Sequence, residues 1–279
     1  MNPAPVRIWL CADDYGISPS VNGAIRDLIA RKRINATSVM VVAPGFDRSE
    51  AVSLRVLNAK KPRAALGLHL TLSAPYRPLH ANYTPLAGRQ FLPLGKTMLR
   101  AFLRRLDPNS LKAEIAAQLD AFIAAFDRAP DFVDGHQHVQ LLPQVRDAML
   151  EVVKAKAPHA WVRQCGSPTS ASLHAGDRKR LVLNLLSRGF RARAKFWGVR
   201  TNPAFAGAYD FDAGNDFASL FPGFLDRLPE NGVVVCHPGL VDAELERIDP
   251  LTTQREREYA YFADERFPAI LAAHGVALA

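Results

Sequence analysis

Short apolar runs alternate with amphipathic helical segments along the whole chain, and that alternation constrains the fold more than any other feature. Val6 to Ala12 reads as a buried strand, and Ser18-Pro19 opens a helix with a capping hydroxyl before a proline at the first helical position. Val21, Ile25, Leu28 and Ile29 give that helix one apolar face. Thr37 to Ala43 is a second β-rich run, Ser49 to Ala59 a second helix and Ala64 to Ser73 a third strand. The pattern continues with a helix around Leu111 to Phe126, a strand over Asp131 to Val139, a helix over Pro143 to Ala157 and a strand over Ala160 to Cys165. A helix over Gly214 to Leu228, a strand over Val233 to Cys236 and a closing strand over Val276 to Leu278 follow. Thr253 and Glu256 have the spacing of a capping box for the last long helix. Strands separated by helices pair in parallel through right-handed crossovers, so an α/β architecture is expected.

The 279 residues suit one α/β barrel of ordinary size, and no linker or internal repeat divides them. The stretch from Pro75 to about Leu94 carries Pro75, Pro78, Pro85 and Pro93 and little periodicity. It reads as an excursion over the mouth of a site. A hydrophobic content of 48% supports a sizeable core. The three cysteines, Cys11, Cys165 and Cys236, form no CxxC pair and are odd in number, which argues for a reducing compartment. With no signal-peptide core before Asp13 and no run near the ~20 apolar residues of a spanning helix, a cytoplasmic protein is expected.

Polar residues fall where these strands end: Asp13-Asp14, His69, His136 with His138, and His237. In parallel α/β folds those ends converge on one face, where sites are built. In a single strand over Asp131 to Val139, Asp134, His136 and His138 would share one face. Such groups are costly to bury without a partner, and a divalent cation is an economical one. Two imidazoles and a carboxylate form a ligand set for Zn²⁺ or another divalent ion. A second carboxylate can then serve as base toward a water that the cation polarises, and His237 as acid toward the leaving group. No GxSxG elbow, P-loop or GxGxxG unit competes with metal-assisted hydrolysis.

Four ordered blocks also carry a family resemblance. Ala12-Asp13-Asp14-Tyr15-Gly16-Ile17-Ser18 with Val21-Asn22, then Gly67-Leu68-His69-Leu70, Asp134-Gly135-His136-Gln137-His138 and Cys236-His237-Pro238-Gly239 resemble the signatures of the YdjC-like carbohydrate deacetylases. That family includes chitooligosaccharide deacetylases and the deacetylase of hopanoid biosynthesis. The resemblance implies a distorted (β/α) barrel of the glycoside hydrolase/deacetylase type and removal of an N-acetyl group from a sugar. It implies Asp14, His69 and His136 as metal ligands, Asp13 as base and His237 as acid, with Mg²⁺ as the family's usual ion; the ligand chemistry suits Zn²⁺ at least as well, so the ion is Mg²⁺ or Zn²⁺. His138, Arg163 and Asp134 are candidates for substrate contact or for orienting the ligands, and His138 is also a candidate ligand. The resemblance makes one domain of residues 1–279, with the excursion at about 74–107 and a variable basic segment at about 169–213. This chain has Gln140 where many relatives carry a further histidine.

The partner expected is an N-acetylated sugar or glycolipid. The net charge of +8 permits an anionic partner. Arg178 to Arg200 holds eight cations and no acid, but it lacks a nucleic-acid motif, so nucleic acid is not expected. Its bland reading is a solvated helix face; its functional reading is peripheral membrane contact, to which Leu99 to Leu106 would add. A homo-oligomer is left open. Two competing functions remain: a metal-dependent phosphohydrolase, and an inactive barrel that binds glycan or nucleic acid.

Overall fold

The first apolar run becomes the strand around which the others assemble. The computed structural model describes residues 4–59, 63–167, 178–211, 214 and 216–279. Its elements begin with β1 (Val6–Tyr15), α1 (Pro19–Ala30), β2 (Ala36–Val39), α2 (Arg48–Asn58) and β3 (Ala65–Leu70). The excursion holds a small hairpin, β4 (Leu86–Ala87) and β5 (Gln90–Phe91), and the helix α3 (Leu94–Phe102). Then come α4 (Pro108–Phe126), β6 (Phe132–Gly135), α5 (Val145–Lys156), β7 (Trp161–Val162), α6 (Arg178–Trp197) and β8 (Phe205–Ala206). The chain finishes with α7 (Phe217–Leu225), β9 (Val233–Cys236), α8 (Ala243–Ile248), α9 (Thr253–Ala263), α10 (Phe267–Ala273) and β10 (Val276–Leu278).

The main sheet runs β7-β6-β3-β2-β1-β9-β8, all parallel, with β10 added beside the start of β1. Its two edges meet. Val162 forms a parallel bridge with Thr201, and the Phe205 amide donates to the Gly166 carbonyl at 3.0 Å, so the sheet curls into a distorted barrel. Covering helices bury apolar faces against it, as α1 does with Val21, Ile25, Leu28 and Ile29. Ser18 caps α1 by accepting from the Val21 amide. This is the expected (β/α) barrel in one domain. Residues 168–177, which open the variable segment, and residues 212, 213 and 215 near its end lie outside the described residues.

Three local expectations are corrected. The strand expected over Asp131 to Val139 stops at Gly135, and His136–Leu141 forms a 3₁₀ turn with Gln137 and His138 at φ of 54° and 59°. Asp134, His136 and His138 therefore do not line one strand face. Gly135 permits the fold-back, because a Cβ there would stand 2.7 Å from the Gln140 side chain. The strand expected over Ala160 to Cys165 shrinks to Trp161–Val162, with Arg163 just beyond it. The capping box is absent: Thr253 already lies inside α9, whose cap, Thr252, makes no side-chain bond to it.

Candidate active site

The site forms at the C-terminal ends of β1, β3, β6 and β9. A bulge breaks the register between β1 and β2 after Ala12, and Asp14 takes a left-handed conformation at φ 67°. In a regular strand adjacent side chains point to opposite faces. The bulge re-aims them, so Asp13 and Asp14 both reach the barrel mouth in different directions.

Asp14, His69 and His136 present ligand atoms within 4.8 Å of one another, all three side chains being buried. Asp14 Oδ1 lies 3.2 Å from His69 Nε2 and 3.0 Å from His136 Nδ1. On its other nitrogen, Nδ1, His69 meets Asp134 Oδ1 at 2.7 Å and the Ser38 hydroxyl at 3.0 Å. A carboxylate behind an imidazole orients the ring and turns its free nitrogen toward a metal. The donor set therefore fits a divalent cation. Burial lowers the basicity of His69, but the carboxylates of Asp134 and Asp13 outweigh it and the imidazole is pushed up to about 10.

Charge balance points the same way. Three buried carboxylates, Asp13, Asp14 and Asp134, face two buried guanidiniums, Arg163 and Arg255. The third carboxylate is balanced by the proton on His69, a charge that a bound cation would supply in its place. Asp14 is fixed by Arg255, whose Nη2 lies 2.6 Å from Asp14 Oδ2 and 2.8 Å from Asp249 Oδ2. Burial raises the Asp14 carboxyl, yet Arg255 and His136 hold it well below the usual carboxylate range.

Asp13 sits in a different cage. Arg163 donates to both its oxygens, at 2.6 and 2.8 Å, and the Ser38 hydroxyl reaches Oδ1 at 3.1 Å. Burial again opposes ionisation, and Arg163 and then His69 overcome it, so Asp13 remains a carboxylate. Arg163 also contacts Asp134 and Cys11 Sγ, at 2.6 and 3.0 Å. Cys11, Asp13 and Asp134 form a second group of possible metal donors. The guanidinium already supplies the cation there.

His237 follows β9, and burial pulls it down to about 4, so it is neutral at pH 7. Its Nδ1 is buried and has no hydrogen-bond partner among the described residues. Its backbone amide donates to Glu258 at 2.5 Å, and Glu258 also accepts from the Tyr209 hydroxyl at 2.5 Å. His138 is placed elsewhere: it turns to Cys165 Sγ at 3.6 Å and meets Phe205 edge-on. Gln140 is fully buried, and its side-chain amide lies against Cys165 Sγ and the carbonyls of Arg163, Gly135 and His138.

Arg255, Ser38, Tyr76 and Glu258 had no signal in the sequence. Tyr76 comes from the proline-rich excursion and meets the His136 ring edge-on at 5.8 Å. A cavity of about 1250 Å³ opens at the opposite end of the barrel, lined in part by Trp9, Asp131 and Trp161 at strand starts. It contains none of the candidate residues, so cavity size does not mark the chemistry here.

The chain is similar to known proteins over most of its length. The profile of the YdjC-like protein family matches residues 7–273. A chitooligosaccharide deacetylase of Yersinia enterocolitica is 25% identical over 240 residues, covering 83% of this chain and 81% of that protein. Its counterpart in Yersinia pestis is 27% identical, covering 84% and 82%. A crystal structure from Enterococcus faecalis V583, of a protein proposed to act in cellobiose-phosphate cleavage, superposes with a TM-score of 0.73. It is 21% identical and covers 99% of this chain and 97% of that one, a likeness of fold.

Proposed function

This chain belongs to the YdjC-like family, and from that premise we propose that it is a metal-dependent hydrolase removing an N-acetyl group from an amino sugar. The observation that carries the reading is the pairing at the end of β1. Asp14 joins two imidazoles in a ligand set, while its neighbour Asp13 stays ionised outside it. The deacetylase names of the two Yersinia relatives supply the substrate class.

In this reading Asp14, His69 and His136 hold the ion. A divalent ion so held would polarise the amide carbonyl and bring the pKa of water to about 7. Two imidazoles favour Zn²⁺ over Mg²⁺, which prefers oxygen donors. Asp13 accepts the proton of the attacking water as its oxygen bonds to the acetyl carbon. Arg163 positions Asp13 and keeps it ionised until that moment. His237, neutral at rest, gains basicity as negative charge develops on the amide oxygen, so it takes up a proton from solvent and delivers it to the nitrogen as the C–N bond breaks, while Asp13 returns the water's proton to solvent. Acetate and a free amine result.

The phosphohydrolase alternative is less favoured, because three cations of the basic segment are engaged with the fold. Arg193 pairs with Asp147, Arg191 donates to Gln164 and Arg200 to the His159 carbonyl. Three buried free thiols fit a reducing cytoplasm. Among the described residues no helix is long and apolar enough to cross a membrane.

The test is acetate release from N-acetylglucosamine oligomers, before and after chelation and after return of Zn²⁺ or Mg²⁺. Release that a chelator stops and an added ion restores is the expected result. Chelator-resistant release would remove the metal from the mechanism. A failure to release acetate from any N-acetylated sugar would remove the activity.

A further inference from the structure

Helix α3 buries Thr97 and Ala101 and packs Leu94 and Met98 against the core, while Leu99, Phe102 and the C-cap residue Leu103 are 59%, 49% and 51% exposed. Side chains at such spacings share one helix face, so these three form one apolar stripe turned to solvent. Lys96, Arg100, Arg104 and Arg105 accompany it, and no acidic residue interrupts residues 94–106. All four cations are exposed, and among the described residues no carboxylate pairs with them.

Both ends of this helix are tied to the mouth of the candidate site. Ahead of it, the Ala74 amide donates to the Leu92 carbonyl at 3.1 Å and the Phe91 amide to that of Tyr76, whose ring touches His136. Behind it, the Leu106 amide donates to Gln144 Oε1 at 3.1 Å, just past the turn that carries His136. Leu79 and Leu240, 45% and 42% exposed, lie on connections that leave the same ends of β3 and β9.

We propose that α3 is an interfacial helix that seats this end of the barrel on an anionic lipid bilayer. An apolar stripe flanked by cations enters the boundary between headgroups and acyl chains while the cations meet lipid phosphates. A two-fold contact between copies of the chain would instead set four cations against four, which is repulsive. The docking stands independently of the deacetylase reading; only the inference that the mouth thereby meets N-acetylated headgroups at the surface rests on it.

The test is sedimentation of the full chain with phosphatidylcholine vesicles, with and without phosphatidylglycerol. Binding to the anionic vesicles alone is expected, weakening as salt screens the cations. Phe102→Ser with Leu103→Ser should weaken it about tenfold or more, since burying each such side chain is worth more than the ~1.4 kcal/mol that tenfold represents. Arg104→Gln with Arg105→Gln should abolish the preference for anionic vesicles. Both variants should keep the wild-type melting temperature and release acetate from a soluble N-acetylglucosamine oligomer at the wild-type rate. Wild-type protein that stays in solution with anionic vesicles overturns the proposal, as does undiminished binding by the Phe102/Leu103 variant. Light scattering that shows dimers, turned to monomers by that variant without vesicle binding, assigns the stripe to a second copy and overturns it too. Vesicle binding without acetate release from any substrate upholds the docking and removes the deacetylase reading alone.

Discussion

Arg163 grips Asp13 by both carboxylate oxygens, 2.6 Å from Nη1 and 2.8 Å from Nη2, and its guanidinium is wholly buried. The pair spans 150 residues of sequence and links the end of β1 to the end of β7. Because the same guanidinium also faces Asp134, its removal takes the guanidinium charge from two buried carboxylates and leaves Asp134 to His69 and Asp13 to the Ser38 hydroxyl.

Arg163→Met should therefore cost about 3–5 kcal/mol of stability in urea unfolding at pH 7. The pH dependence should also change sign. In the native protein Asp13 is held below its unfolded value, so its contribution is full above about pH 4 and lost as pH falls through the folded value. Without the guanidinium, burial dominates and raises the carboxyl, so the variant should regain stability on acidification. A variant that loses stability on acidification as the native protein does would refute this account of Asp13.

The two adjacent aspartates should separate cleanly. Asp13→Asn should keep its metal and lose about 10²- to 10⁴-fold in rate, as removal of a general base does. Asp14→Asn should lose metal, with activity partly recovered by excess ion. Metal content and acetate release on both variants decide it. The opposite pattern would exchange the roles.

His69 carries a proton at pH 7 while no ion is bound, so binding a cation there must displace it. Calorimetry of Zn²⁺ binding in buffers of different ionisation enthalpy should show proton release, and affinity should rise with pH. Asp134→Asn, which weakens the anchor on His69 Nδ1, should lower metal affinity about 10- to 100-fold. Unchanged affinity would reduce Asp134 to a partner of Arg163.

Glu258 lies under the His237 backbone, and burial pushes it up to about 7. A carboxyl raised on folding favours the native state while protonated, so its contribution is lost as pH rises from about 4.5 to 7. Glu258→Gln should flatten the stability profile over that window. An identical slope in both proteins would show that Glu258 does not titrate there.

What the sequence determined by itself is local. Ser18 before Pro19, the apolar face of α1 and the run Val233–Cys236 became cap, helix and strand, because capping and periodicity act within a few residues. The four motif blocks likewise located Asp13, Asp14, His69, His136 and His237, since strand ends are set by where apolar runs stop. Their grouping was legible through the rule that parallel strand ends share a face. The tertiary structure decided the rest. His138 shares a motif with His136, yet two left-handed residues turn it toward Cys165, a choice settled by packing around Gly135 and Gln140. Arg255 reaches Asp14 across 241 residues, and only the register of the closed barrel brings them together. No spacing rule anticipates such a pair, because the charge that needs compensation and the residue that supplies it belong to strands and helices whose distance is set by the whole sheet.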